Sequence, residues 1–137
     1  MFNRIMVPVD LAHADKLEKS LTCAAKLAAQ YGIEVCYVGV TAETPSPLGH
    51  NPKEYDEKLA AFAAEQSAKR GHAAVHKSML SHDVVTDVDD ALIEAVKETG
   101  ADLVVMATHA PGLLDVIWPS NGTKLAAHTK ASVFLVR

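Results

Sequence analysis

Two short runs in this chain are almost wholly apolar: Arg4-Ile5-Met6-Val7-Pro8-Val9-Asp10 and Ala101-Asp102-Leu103-Val104-Val105-Met106-Ala107. A strand that is apolar at consecutive positions, rather than at alternate ones, needs cover on both faces. Such strands belong to parallel sheets with helices packed above and below. Pro8 lacks a ladder donor, so the first strand is expected to end before it.

The rest of the chain supplies the helices. After the first run, Leu17, Leu21, Ala24, Ala25, Ala28 and Tyr31 fall on one stripe at three- and four-residue spacing, and Gly32 is a natural stop. Residues 33–40 read as a second strand, and Thr41 to Lys53, with three prolines and a glycine, as a loop. Glu54 to Arg70 is helical, with Leu59, Phe62, Ala63 and Ala68 as apolar points, and Gly71 ends it. Residues 73–80 form a weaker third strand. Thr86 or Asp87 can cap a third helix, whose carboxylates suit the positive helix start and whose buried face is Ala91, Leu92, Ala95 and Val96. Gly100 closes it. After the second apolar run comes a loop from Thr108 to Pro119. Ser120 or Asn121 then caps a short helix to about His128, and residues 131–136 make the last strand.

Strand and helix thus alternate four times before a closing strand. This order implies right-handed crossovers and a parallel sheet with helices on both faces, in one domain over residues 1–137. In such sheets ligands sit at the carboxyl ends of the strands, at the switch point.

Composition narrows the function. Net charge is -4, no Lys/Arg cluster occurs and aromatics are 5%; a nucleic-acid-binding surface is not expected. No apolar run is long enough for a membrane span. The opening Met1-Phe2-Asn3-Arg4-Ile5 lacks the pattern of a signal peptide, and two cysteines, Cys23 and Cys36, are read as buried small hydrophobes in a reducing cytoplasm.

These segments, in this order, resemble the universal stress protein family. Residues 4–10 resemble its opening strand, with an apolar-Pro-apolar-Asp end. Val38-Gly39-Val40 stands where the family carries Leu-His-Val. Gly100-Ala101-Asp102-Leu103-Val104-Val105-Met106-Ala107-Thr108-His109 resembles its Gly-Ala-Asp-Leu-Ile-Val-Met-Gly-Thr-His stretch, and Ala131 to Arg137 its closing strand. The resemblance covers the whole chain. It implies an α/β fold of the adenine nucleotide alpha hydrolase-like kind: a doubly wound, five-stranded parallel sheet in the order 3-2-1-4-5. It also implies a cytoplasmic homodimer with a stress-response role. Some family members bind ATP or another adenine nucleotide, and others bind none.

The same resemblance implies nucleotide contacts at Pro8, Val9, Asp10, Val40, Met106, Ala107, Ala110, Ser120, Asn121 and Gly122, with ATP, ADP or AMP as ligand, with or without Mg. Binding members carry Gly-x2-Gly-x9-Gly-Ser/Thr after the fourth strand. Here Ala107 and Ala110 stand at the first two glycines. The third is Pro119, followed by Ser120, when the loop is aligned without gaps; the other alignment puts Gly122-Thr123 in that slot. Alanine keeps its N–H for a phosphate, whereas Pro119 has none.

Other residues admit plainer readings. Asp10 can bond a base or ribose, or simply cap the next helix. His109 could act as a base, but no nucleophile is visibly paired with it. His72 and His76 would suit a metal on a helix but fall at a strand. Asp87, Asp89 and Asp90 fit helix-start electrostatics better than a cation site, and Trp118 could cover the site or a partner. Three functions follow, in order of support: a dimeric adenine-nucleotide-binding module; a member that has lost the nucleotide and acts as a scaffold or protein-interaction dimer with a protein partner; and an enzyme capable of slow ATP hydrolysis at most, since no Walker Gly-Lys-Ser/Thr is present. A flavodoxin-like protein or a response receiver shares the architecture. Neither fits: no Ser/Thr-rich loop follows the first strand, and no acidic pair accompanies Asp10.

Overall fold

The computed structural model describes residues 1–43, 45, 51–81, 88–108 and 121–137. Five parallel strands, β1 (Arg4–Pro8), β2 (Glu34–Ala42), β3 (Ala74–Ser81), β4 (Leu103–Ala107) and β5 (Ser132–Val136), form one sheet in the order β3-β2-β1-β4-β5. The helices are α1 (Glu18–Tyr31), α2 (Pro52–Arg70), α3 (Val88–Thr99) and α4 (Asn121–His128). Ile5, Val7 and Val9 point into a core shared with Leu21 of α1 and Leu59 of α2. Met6 points to the other side, against Leu92 and Val96 of α3 and Leu125 of α4. The two-sided demand made by the apolar runs is met in this way.

Pro8 lies inside β1, opposite Val38, not beyond its end. The next residue shows why this is tolerated. Val9 donates its N–H to the Val38 carbonyl (2.8 Å). Successive N–H groups of a strand point to opposite sides, so the donor that Pro8 lacks belongs to the β4 side. There the paired register covers only Ile5–Met6 against Leu103–Val104, whereas β1 pairs with β2 over Arg4–Pro8. The ladder between these two central strands therefore stops short of their carboxyl ends.

Other boundaries moved for local reasons. The stretch expected as one helix opens as a 3-10 run, Leu11–Leu17, with His13 off helical geometry (φ -130°, ψ 32°) before α1 begins. Helix α2 starts at Pro52, inside the expected loop. Asn51 caps it by accepting the Glu54 N–H (2.9 Å), and Pro52 needs no donor in the first turn. Its buried face is Tyr55, Leu59, Ala63 and Gln66; Ala68 is exposed. Gln66 is buried because it accepts from Arg70 Nε (2.7 Å), whose guanidinium also reaches Thr22 and Glu18 on α1. Tyr31 is exposed rather than in the core, and packs edge-on against Phe2 at 5.5 Å. Gly32, Gly71 and Gly100 take the left-handed conformation at the three helix ends. The capping roles of Thr86 and Asp87 lie outside the described residues.

Among the described residues, no helix is long and apolar enough to cross a membrane.

Candidate functional site

Of the residues expected to meet a ligand, Pro8, Val9, Asp10, Val40, Met106 and Ala107 lie toward the carboxyl ends of β1, β2 and β4. Pro8 ends β1, Val9 follows it, and both are buried. Val40 lies near the end of β2 and is almost wholly buried, and the Met106 side chain is sealed in the core on the α3 and α4 side. These residues thus offer an incoming group mainly their main-chain atoms. Ala107 is half-buried at the last position of β4, and Thr108 closes that strand by donating to the Val136 carbonyl (2.8 Å).

Asp10 stands just past β1. Its Oδ1 accepts the Ala12 N–H (3.1 Å), the capping role that the sequence allowed. Its Oδ2 lies 3.0 Å from Nδ1 of His13, a contact with no signature in the linear pattern. Tyr55, reaching over from α2, forms part of the same end. A Cβ at Gly39 would meet its Oη at 2.3 Å, and burial, helped by the Asp10 charge, pushes its hydroxyl well above the ordinary range. Tyr55 was missed because it falls in the first turn of a helix expected to begin only at Glu54.

Ala110 and Ser120 lie outside the described residues, as do His109, Trp118 and Pro119; for Asn121 only the backbone, at the start of α4, is described. Gly122 is buried in the first turn of α4. There it serves packing: a Cβ would come within 2.3 Å of Leu135 Cδ2 on β5. Lys124, one turn on, reaches Asp89 (3.6 Å) and Asp90 (3.5 Å) at the start of α3.

The two histidines considered together do not meet. His72 precedes β3, is 8% exposed and shares a 2.8 Å hydrogen bond between Nε2 and the Tyr37 hydroxyl, while its Nδ1 has no partner. His76 lies on β3, 3.4 Å from Asp56, which also accepts from Ser78. No cluster of three or more His, Cys, Asp or Glu side chains is placed to hold a metal among the described residues. Cys36 is buried as expected, and Cys23 is only half-buried; both are free thiols.

Two surface hollows lie at the opposite, amino end of the sheet. One, of about 520 Å³, is bordered by Asn3, Glu34 and His72; the other, of about 600 Å³, by Lys97, Asp102 and Lys130. Asp102 is occupied there, accepting the N–H groups of Asn3 and Arg4 and so tying the start of β1 to β4.

The architecture and the Asp at the end of β1 can be set beside known proteins. The model of the universal stress protein family matches residues 1–137. The chain belongs to the universal stress protein family. Solved structures of the family share its fold at low identity. A protein of the family from Burkholderia pseudomallei is 22% identical, with 98% of this chain and 95% of that one covered, at a TM-score of 0.66. The universal stress protein from Archaeoglobus fulgidus, solved in complex with dAMP, is 17% identical over 98% of both chains, with a TM-score of 0.69. A family protein from Arabidopsis thaliana, solved with AMP bound, is 13% identical over 98% of this chain and 90% of that one, with a TM-score of 0.64. No curated protein matches the chain.

Proposed function

We propose that this chain is an adenine-nucleotide-binding module of the universal stress protein family, taking AMP, ADP or ATP, with or without Mg, at the carboxyl ends of β1 and β4. The observation that carries this reading is Asp10 just past β1, at the carboxyl end where the paired register of β1 with β4 stops at Met6 and Val104. A crevice at a switch point is where a doubly wound sheet takes a ligand. Family proteins solved with dAMP and with AMP supply the ligand class. On this reading the main chain of Pro8, Val9, Val40, Met106 and Ala107 walls the adenosine, and Ala110, Ser120, Asn121 and Gly122 present N–H groups to the phosphates. The module works in the cytoplasm as a homodimer, joined through residues 131–136, in a stress response.

A second reading has its own support. Alanine replaces glycine at 107 and 110, Pro119 removes a donor, and both carboxylate oxygens of Asp10 already have partners within the chain. A member of this kind would act as a scaffold dimer for a protein partner, without nucleotide.

Mass spectrometry of the denatured, freshly purified protein separates the two. A stoichiometric adenine nucleotide supports the first reading. An empty protein that also fails to bind AMP, ADP and ATP in calorimetry supports the second.

A further inference from the structure

We propose that His13 is the side chain that contacts the ligand at the end of β1, with Asp10 behind it as a positioning residue. This rests on the adenine-nucleotide reading.

Asp10 and His13 are joined two ways: the His13 peptide N–H donates to the Asp10 carbonyl (3.0 Å), and His13 Nδ1 lies 3.0 Å from Oδ2. The Ala12 N–H donates to Asp10 Oδ1 (3.1 Å) and holds the carboxylate in place. An ionised carboxylate only accepts, so Nδ1 carries the proton whether the ring is neutral or charged. In the neutral ring the lone pair is then fixed on Nε2. The backbone leaves helical geometry at His13 itself, the residue whose ring turns back to Asp10. The exposure of the pair is unequal: 41% of the His13 side chain is accessible but only 22% of that of Asp10. The more accessible member of the pair at this end of β1 is therefore the imidazole, with a defined acceptor.

That acceptor suits an O–H or N–H donor. An adenine nucleotide has both, in its ribose hydroxyls and its exocyclic amine. A carboxylate contacting the ligand directly would not need the histidine; one acting through it would be useless without it.

A double-mutant cycle on the whole protein, with AMP as probe in calorimetry, decides between these. His13→Ala is expected to weaken AMP binding about tenfold, the usual worth of one hydrogen bond. Asp10→Ala should weaken it comparably in the wild type, and by less than about twofold once His13 is alanine, the non-additivity of a coupled pair. Equal loss from Asp10→Ala in both backgrounds would overturn the proposal, as would a His13→Ala protein that melts earlier yet binds AMP unchanged. Wild type that binds no AMP, ADP or ATP removes the nucleotide reading and this inference with it. That result is distinct from a wild type that binds while His13 is inert.

A measurement without substitution guards against misfolded variants. In the ¹⁵N-histidine-labelled wild type, saturation with AMP should shift the Nε2 resonance of His13; an unmoved resonance contradicts the contact. The 2′-deoxy, 3′-deoxy and 6-deamino analogues of AMP identify the donor, as the one whose binding no longer depends on His13. Equal dependence with all three analogues would overturn the hydrogen bond.

Discussion

The hydroxyl of Tyr55 occupies the space where a side chain at Gly39 would begin. An ideal Cβ on Gly39 would lie 2.3 Å from Tyr55 Oη and 3.0 Å from two carbons of the same ring. Gly39 stands on β2, and Tyr55, 3% exposed on α2, fills the room beside it. The ring is hemmed in and has little freedom to retreat. Gly39→Ala should therefore destabilise the protein by about 1–3 kcal/mol, the usual cost of overpacking. Adding Tyr55→Phe removes the closest atom and should recover part of the loss. Denaturant melts of the single and double variants check this; independent, additive effects would contradict it.

Acid should weaken the fold in two windows. Burial, with the nearby Arg70 charge, holds His72 below its ordinary value of 6.5, so the fold favours the neutral ring. Its contribution is complete above that value and is lost as pH falls below it. His72→Gln should flatten the decline below about pH 6.5. Asp102 acts in the same direction, but through its charged form. Burial pushes its carboxyl up, but the N–H groups of Asn3 and Arg4 outweigh that and leave it below the usual 3.8. Its contribution is present above the unfolded value and disappears as pH falls through the folded one, so Asp102→Asn should reduce the slope below about pH 4. Urea midpoints across the pH range test both; unchanged slopes would contradict these assignments.

The cysteines should differ in reactivity. Burial pushes the Cys36 thiol up to about 11. On the order of one molecule in a thousand then carries the thiolate at pH 8. Cys23 is half-buried and the more accessible of the two. A colourless aryl disulfide that releases a coloured thiolate should therefore titrate one thiol in the native protein and the second only in denaturant. Two equally fast thiols would contradict the placement of Cys36.

Assembly should depend on the free edge at β5. Phe134 and Leu135 are each 46% exposed there, and an apolar edge invites pairing. In a homodimer built by antiparallel pairing of this strand with its symmetry mate, Phe134→Lys should shift the protein toward monomer at micromolar concentration. Light scattering reads the outcome. A wild-type monomer, or a dimer indifferent to the lysine, would overturn this mode of association.

The sheet was legible in the sequence because its central strands cannot be exposed on either face. Ile5–Val7 and Leu103–Met106 admit few alternatives, and helix stops at Gly32, Gly71 and Gly100 set the crossovers. What escaped was local or long-range hydrogen bonding. Asn51 and Glu54 formed a readable cap within a segment dominated by its prolines. The bond from Asp10 to His13 left no trace in the hydrophobic pattern, and the 3-10 run around it looked like ordinary helix. Asp102 resembled a family signature, yet its work for the Asn3 and Arg4 N–H groups depends on a sequence separation that no window spans. The glycine substitutions at Ala110 and Pro119 lie outside the described residues, so the phosphate end of the site rests on the resemblance.

An adenine nucleotide is proposed to bind at the carboxyl ends of β1 and β4. Titration of ¹⁵N-labelled protein with AMP, followed by amide chemical shifts, tests it most directly. Saturable shifts are expected, centred on Val9, Asp10, His13, Val40 and Ala107, with the amino-end residues Asn3, Gly71 and Lys130 unmoved. Absence of shifts at millimolar AMP, or shifts clustered at the amino end of the sheet, would contradict it.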